Sequence, residues 1–390
     1  MVKGFKASAV SAGLKKNGKK DLALIVSDSL ASVAGVFTRN LVQAAPVMLD
    51  KQRLAGGVCR AIVANSGNAN CCTGKKGMED AVLMTRAVSE TLGIDPQHVM
   101  AASTGVIGEP LRIEAIQEAV PGLVAALEHD GFEAAAQAIM TTDTRAKLVT
   151  RQGEISGKTY TVTAIAKGAG MIRPDMATML CFACTDLGID PAALQEALDY
   201  ANSGSFNRIT IDGDTSTNDT VLVMANGRSG AAAETRARKD EFAALLAEVF
   251  RELARMIVAD GEGATKCVEI RVVNALSDQD ARLMTDTVAN SNLVKTAFFG
   301  EDANWGRIMA ALGRSGAKFD PEMVDINFDG VKMVEQGRGC GAEAEAAATE
   351  VMKKQEFSVK IDVKAGKGQA SVLTCDFSLD YVKINADYRS

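Results

Sequence analysis

The stretch that decides the fold is Lys167-Gly168-Ala169-Gly170-Met171-Ile172-Arg173-Pro174-Asp175-Met176-Ala177-Thr178-Met179-Leu180. A segment that alternates apolar and polar residues, 160–166, leads into it, and an apolar segment, 179–184, follows it. Two glycines allow the backbone to approach another backbone or a ligand closely, and a proline fixes the turn. The residues alone predict a β-hairpin whose second strand begins just after the hydroxyl of Thr178.

The composition is that of a globular protein with two or three domains. The chain has 390 residues, with 43 basic and 49 acidic side chains and a net charge of -6. Because no basic stripe is present, nucleic acid and anionic membrane surfaces are not expected as partners. No apolar run approaches the roughly 20 residues that span a bilayer, and the first residues lack the apolar core of a signal peptide. The expected location is the cytoplasm.

The residue types that hold metals are present without metal-site spacing. Cys181 and Cys184 form a C-x-x-C pair in an apolar segment, where residues three apart point to opposite faces of a strand. The polar loop 212–219 has oxygen ligands but lacks the spacing of an EF-hand. His98 and His129 are the only histidines. We therefore predict no metal site, and any nucleophile is expected to use a base other than imidazole.

Strand and helix patterns alternate irregularly along the chain, which favours an α+β layered fold over a doubly wound sheet. The turn formers at 65–70 and 103–108 predict two polar loops. From about residue 268 the pattern of predicted strands and helices changes, which predicts a smaller C-terminal α/β domain. The remaining predicted elements are strands at 21–26, 34–38, 60–64, 220–225, 268–273, 357–363 and 370–377, helices at 77–92, 113–119, 121–129, 132–140, 240–258, 277–290, 305–312 and 342–352, and a hairpin turn at 329–330.

A threonine needs a base to become a nucleophile. One solution without histidine makes the threonine a chain terminus, so that its own α-amino group, with an unperturbed pKa of about 7.7–8.0, takes the proton. Thr178 would reach that state by attacking the carbonyl of Ala177, followed by an N-to-O acyl shift and hydrolysis of the ester. A simple hairpin turn with a polar residue at its end remains the alternative at this point.

The local sequence from Lys167 to Leu180 closely resembles the self-cleavage segment of the ornithine acetyltransferases, which transfer acetyl from N-acetylornithine to glutamate in arginine biosynthesis. The likeness extends over nearly the whole chain in the right order. The motifs that carry it are 65–70 (NSGNAN), 103–105 (STG), 141–144 (TTDT), 212–219 (DGDTSTND), 261–266 (GEGATK), 300–307 (GEDANWGR) and 385–388 (NADY).

The resemblance implies a role for each matching residue. Thr178 is the implied nucleophile, with cleavage between Ala177 and Thr178, and Thr104 and Gly105 are the implied oxyanion hole. The implied substrate contacts, besides Thr178 itself, are Thr141 (with Thr142 as a weaker choice), Lys167, Glu262, Asn385 and Ser390. Of these, Lys167 suits a substrate carboxylate and Glu262 suits the ornithine ammonium.

The resemblance also implies a ping-pong reaction that needs no cofactor or metal, and it leaves open whether acetyl-CoA is a second donor. The implied fold is an α-β-β-α layered sandwich with a smaller C-terminal domain. The implied chains are an α chain (1–177) and a β chain that completes the sandwich (178–267) and carries the C-terminal domain (268–390), paired into a heterotetramer of two α and two β chains. A self-processing N-terminal-threonine amidase or aminopeptidase, or an unprocessed binding protein, is the alternative.

Overall fold

The computed structural model describes residues 1–16, 18–173 and 179–387. Its strands in these residues are β1 (Phe5–Val10), β2 (Leu22–Phe37), β3 (Val58–Asn68), β4 (Val99–Val106), β5 (Lys147–Ile155), β6 (Lys158–Lys167), β7 (Leu180–Thr185), β8 (Ile209–Thr210), β9 (Thr220–Ala225), β10 (Cys267–Ala275), β11 (Asp325–Phe328), β12 (Val331–Glu335), β13 (Arg338–Gly339), β14 (Glu356–Asp362) and β15 (Gly368–Cys375).

The α-helices of the same residues are α1 (Ala45–Arg53), α2 (Gly74–Leu92), α3 (Ile113–Ala125), α4 (Phe132–Ile139), α5 (Pro191–Ser203), α6 (Arg236–Ala259), α7 (Asp278–Ala289), α8 (Asn292–Phe299), α9 (Trp305–Gly313), α10 (Ala342–Met352) and α11 (Leu379–Asp387). The chain forms two compact units. The first consists of Met1–Asn207 and Asp214–Ile257, and the second of Arg208–Gly213 and the described residues from Val258 onward. The predicted α+β class, with layers of helices and sheets, is confirmed.

The first unit contains a mixed sheet in the order β4-β3-β2-β9-β7-β6-β5, with β1 paired to β2. The β3–β4 and β7–β9 pairs are parallel, and the other pairs are antiparallel. The strands β6 and β7 pair as the sequence predicted, with Lys167 opposite Leu180. Residues 168–179 therefore connect two adjacent strands at one end of the sheet.

Alternation along the strands gives this sheet two apolar faces, because successive side chains point in opposite directions. In β2, Leu22 and Leu24 pack with α1, α2 and α3, whereas Ala23 and Ile25 pack with α4 and β1. Both faces are thus covered by helices.

Two sequence predictions about the strands were wrong. The segments 21–26 and 34–38 belong to one continuous strand, β2, since a register shift between Val26 and Ala31 takes up the polar residues between them. The predicted loops at 65–70 and 103–108 lie partly within β3 and β4. Polar side chains of these segments form hydrogen bonds within the strand pair. Ser103 Oγ donates to Asn65 Oδ1 at 2.6 Å, and Asn65 Nδ2 donates to the Asn68 carbonyl at 2.9 Å.

The second unit is built on a sheet in the order β13-β12-β11-β14-β10-β15-β8. One apolar cluster fills the space between this sheet and its helices, with Ile270, Met284, Phe298 and Phe328 fully or almost fully buried. The turn between β11 and β12 has positive φ angles at the predicted Asp-Gly pair, 44° and 89°, as a two-residue hairpin turn requires. Of the domain limits predicted from the sequence, the one between 177 and 178 is drawn at a cleavage point and the one between 267 and 268 at a change of pattern, and both stay predictions.

Within the described residues, every helix is too short or too polar to cross a membrane. The same part of the chain holds no cluster of three or more His, Cys, Asp or Glu side chains arranged to bind a metal ion. Cys181 and Cys184 lie in β7, and both are buried free thiols. Burial raises the pKa of each thiol above its ordinary value, which disfavours the thiolate that metals bind.

Candidate active site

The predicted oxyanion residues lie near the end of β4, where it runs parallel to β3. Thr104 is almost fully buried, and Gly105 pairs with Gly67 of β3. Gly105 has a φ of +135°, and a Cβ built on it would lie 2.4 Å from the carbonyl carbon of Gly67. Only glycine fits there, because a side chain would collide with backbone that cannot yield.

Lys167, at the end of β6, lies beside this strand end. Its Nζ is 3.5 Å from Thr104 Oγ1 and 4.0 Å from Asp143 Oδ2, and the residue is 3% exposed. Lys147, at the start of β5, donates from Nζ to Asp143 Oδ1 at 2.7 Å, with both side chains fully buried. The antiparallel β5–β6 register places Lys147 opposite Ala166, the neighbour of Lys167 in the chain, and both lysines contact the carboxylate of Asp143.

Asp143 is held as a carboxylate by several donors. The amide of Gly168 donates to its Oδ1 at 2.7 Å, and the amide of Thr141 donates to its Oδ2 at 3.0 Å. Burial by itself would raise the pKa of Asp143, but the charges of Lys167 and Lys147 and these hydrogen bonds lower it to about 2. Two ammonium groups therefore contact one buried carboxylate, and one of them, that of Lys167, lies next to Thr104.

A third lysine, Lys15, belongs to the same neighbourhood. Its Nζ donates to the carbonyls of Ala138 and Lys20 at 3.1 and 3.0 Å, and its Cγ would be 3.4 Å from a Cβ built on Gly67. Burial lowers the pKa of Lys15 to about 8, with Asp21 opposing that change. The sequence analysis gave no role to Lys15, Lys147 or Asp143, although Asp143 lies inside the quoted TTDT motif.

The loop that precedes β9 reaches two strand ends at once. Asn218 Nδ2 donates to the carbonyls of Ala69 and Ser103 at 2.6 and 2.8 Å. The next residue, Asp219, accepts the amide of Met179 on Oδ1 at 3.0 Å. Sequence reasoning noticed this loop as a polar segment and missed these contacts, which depend on pairings between distant strands.

The other predicted substrate contacts lie in the second unit. Glu262 is 9% exposed, and Asn385 Nδ2 donates to its Oε2 at 2.8 Å. Gly263 has a φ of +67°, and a Cβ on it would lie 2.5 Å from the amide nitrogen of Tyr381 in α11. The glycine therefore lets the loop that carries Glu262 pack against the helix that carries Asn385.

The predicted site residues thus form two groups, one in each unit. Thr104, Gly105, Thr141 and Lys167 belong to the first unit, and Glu262 and Asn385 pair in the second. The predicted nucleophile Thr178, its partner in the scissile bond Ala177, and Ser390 lie outside the described residues. The amide that follows Thr178, that of Met179, is the nearest described group and is anchored by Asp219.

The arrangement has the parts of a site that handles a polarised carbonyl group. The Thr104 hydroxyl and the Gly105 amide belong to neighbouring residues on one strand end, beside a buried ammonium group that favours developing negative charge. The fold and this cluster define the class: a layered α+β enzyme with a buried cationic site at the ends of its strands.

Comparison with known proteins identifies the family within that class. A family model described as the ArgJ family matches residues 6–390, and the chain belongs to this family. An arginine biosynthesis bifunctional protein ArgJ from Geobacter sulfurreducens is 54% identical over 391 residues, covering 100% of both chains. The protein of the same name from Syntrophotalea carbinolica is 53% identical over 391 residues, covering 100% of this chain and 99% of its own.

A solved structure is similar as well. The crystal structure of the arginine biosynthesis bifunctional protein argJ from Bacillus halodurans is 39% identical, with a TM-score of 0.51. The likeness covers 53% of this chain and 98% of the solved chain. The solved chain is therefore about half as long as this one.

Proposed function

We propose that this chain is a self-cleaving acetyltransferase of arginine biosynthesis, which moves the acetyl group from N2-acetylornithine to glutamate. The observation that carries the proposal is identity of 54% over the full length to a bifunctional ArgJ protein of that pathway. The buried cationic cluster beside Thr104 supports it, because acyl transfer develops negative charge on a carbonyl oxygen.

The first step is self-cleavage. The Thr178 hydroxyl attacks the carbonyl carbon of Ala177, the acyl group moves from nitrogen to oxygen, and water hydrolyses the ester. This leaves a carboxylate on Ala177 and a free α-amino group on Thr178. The half-length chain in the related crystal structure supports this step, since the product 178–390 is likewise about half of the chain.

Acetyl transfer then proceeds in two halves on the same hydroxyl. The α-amino group of Thr178 removes the hydroxyl proton, since its pKa of about 7.7–8.0 lies near the working pH. The oxygen attacks the acetyl carbonyl of N2-acetylornithine, and the Thr104 hydroxyl and Gly105 amide donate to the oxyanion. Ornithine leaves with a proton on its amine. Glutamate's amine attacks the acetyl-threonine ester and departs as N-acetylglutamate.

Charged side chains select the substrates. Lys167 pairs with a substrate carboxylate and Glu262 with the side-chain ammonium of ornithine, with Thr141, Asn385 and Ser390 as further contacts. Lys167 and Glu262 are both buried, 3% and 9% exposed, which strengthens the preference of each for an opposite charge. The mechanism needs no cofactor. Acetyl-CoA is the second donor proposed for a bifunctional member, and the expected form is a cytoplasmic heterotetramer of two α and two β chains.

The self-cleavage step is tested on Thr178→Ala and on the wild-type chain by intact mass. The wild type is expected to give two fragments, the second beginning at Thr178, whereas the variant stays a single species of about 41 kDa. Thr178→Ser is the matched control, because it keeps the hydroxyl and the amine. A variant without the hydroxyl that still cleaves would remove Thr178 from its role.

The reaction is tested by incubating the processed enzyme with N2-acetylornithine and glutamate. Equal amounts of ornithine and N-acetylglutamate are expected. Ornithine released without N-acetylglutamate would instead indicate an amidase or aminopeptidase that passes the acyl group to water. A parallel assay replaces the donor by acetyl-CoA, and formation of N-acetylglutamate there would identify the second activity.

A further inference from the structure

Two consecutive residues of the loop before β9 contact the strand ends that carry the proposed catalytic groups. Asn218 holds the carbonyl of Ser103, which immediately precedes Thr104. Asp219 holds the amide of Met179, which immediately follows Thr178. Both side chains are buried, 6% and 0% exposed, so these contacts are shielded from competing water.

The carboxyl group of Asp219 is unusual for a buried acid. Its Oδ1 accepts the Met179 amide, while its Oδ2 has no hydrogen-bond partner among the described residues. Burial raises the pKa of Asp219 well above its ordinary value, and the Met179 amide, the Lys167 charge and the Thr38 hydroxyl only partly oppose this. A neutral carboxylic acid has an O–H to donate as well as an oxygen that accepts the Met179 amide.

We propose that Asn218 and Asp219 form a positioning pair, which fixes the distance between the oxyanion residues and the nucleophile. This inference rests on the proposed function. Acyl transfer requires the reacting atoms about 3–3.5 Å apart, and a misplacement of about 1 Å can cost about 100-fold in rate. Because Asn218 and Asp219 are adjacent in the chain, a single short segment contacts both the carbonyl before Thr104 and the amide after Thr178. Neither residue touches the reacting atoms in this assignment.

The raised pKa of Asp219 favours its neutral form, so an isosteric variant tests the assignment. Asp219→Asn keeps an oxygen that accepts the Met179 amide and an N–H that replaces the acid O–H. Self-cleavage and the kcat of transfer are therefore expected to stay within about threefold of the wild type, with an unchanged pH profile. Asp219→Ala removes both groups, and both rates are expected to fall by about 100-fold at nearly constant KM.

Asp50 supplies the matched control. It is also fully buried, accepts one backbone amide (Ala101, at 2.8 Å) on Oδ1, and leaves Oδ2 without a partner among the described residues. Asp50→Ala is expected to lower the thermal midpoint about as much as Asp219→Ala but to leave the rates of the folded enzyme unchanged. Folded fractions are measured by circular dichroism for each variant.

Two results would overturn the inference. The first is a folded Asp219→Ala variant with wild-type rates, which would make the residue merely structural. The second is an inactive Asp219→Asn variant or one that loses a limb of the pH profile, which would make Asp219 an acid or base. If Asp219→Ala does not fold, Asp219→Glu replaces it, since its extra methylene shifts the carboxyl by about 1 Å, and undiminished rates there overturn the inference too.

The failure of this inference is separable from that of the proposed function. If Thr178→Ala still cleaves, the proposed function fails whatever the Asp219 variants do. If Thr178→Ala abolishes cleavage while the Asp219 variants keep their rates, only the positioning pair is wrong.

Discussion

Replacing Asp143 by asparagine removes the carboxylate that two buried lysines share. Lys147 is fully buried and Lys167 is 3% exposed, so neither ammonium gains water in exchange. Breaking a buried ion pair by removing one partner costs about 3–5 kcal/mol, because the remaining charge stays desolvated. We expect Asp143→Asn to lower the free energy of unfolding by about that amount at pH 7.

The pH dependence gives a second estimate of the same interaction. The pKa of Asp143 falls from 3.8 to about 2 on folding, which corresponds to about 2 kcal/mol of stability. Because the folded-state pKa is the lower one, this contribution is complete above about pH 4 and is lost as the pH falls toward 2. The truncation cost is larger since it also leaves the lysines without their carboxylate.

Urea unfolding followed by circular dichroism, at pH 7 and at pH 3, measures both effects. The variant is expected to lose stability at pH 7 and to show a weaker dependence on acid than the wild type. The control is Asp325→Asn, whose carboxyl also pairs with two lysines, Lys364 and Lys332, but is 14% exposed. A pair near the surface contributes about 1 kcal/mol or less. An Asp143→Asn variant as stable as the wild type at pH 7 would refute the argument.

Three further substitutions separate catalysis from folding. Gly105→Ala forces a Cβ into the Gly67 backbone, so we expect the free energy of unfolding to fall by about 2–3 kcal/mol in thermal unfolding. We also expect no self-cleavage, measured by intact mass. Full cleavage would contradict the conclusion that only glycine fits at this position. Lys167→Met keeps all but one atom of the side chain's length and removes its charge, and kcat/KM for transfer is expected to fall about 100-fold in a steady-state assay. Asp190→Ala removes the side chain that caps α5 through the Ala193 amide; it should cost about 1 kcal/mol by denaturation and leave kcat/KM unchanged.

Local patterns predicted the elements whose stability is local. The helices predicted at 77–92 and 277–290 and the Asp-Gly turn predicted at 329–330 all appear at about those positions. The continuity of β2 could not be predicted this way. It depends on a register shift in the pairing of β2 with β3, and β3 is distant in sequence from the residues at the shift.

The same distinction between local and long-range contacts applies to the residues of the site. The resemblance supplied Thr104 and Lys167, but no local signal indicated that they lie 3.5 Å apart. That distance depends on how β4 and β6, strands far apart in the sequence, are placed within one sheet. The carboxylate at the centre of the cluster was quoted within a motif and given no role, because its partners become evident only when the strands pair.

The strand order of the first unit has a consequence for the processed molecule. A cut before Thr178 assigns β1 to β6 to one fragment and β7 and β9 to the other. In the sheet, β9 and β7 lie side by side between β2 and β6, so the later fragment is inserted between strands of the earlier one. Its two strands pair with the other fragment along both outer edges, through six residues each. The strands of the two fragments are therefore interleaved, and dilution alone should not separate them. Dissociation requires the β2–β9 and the β7–β6 pairings both to break. Folding must accordingly precede the cut, and fragments made separately are not expected to reassemble with the ease of ordinary subunits.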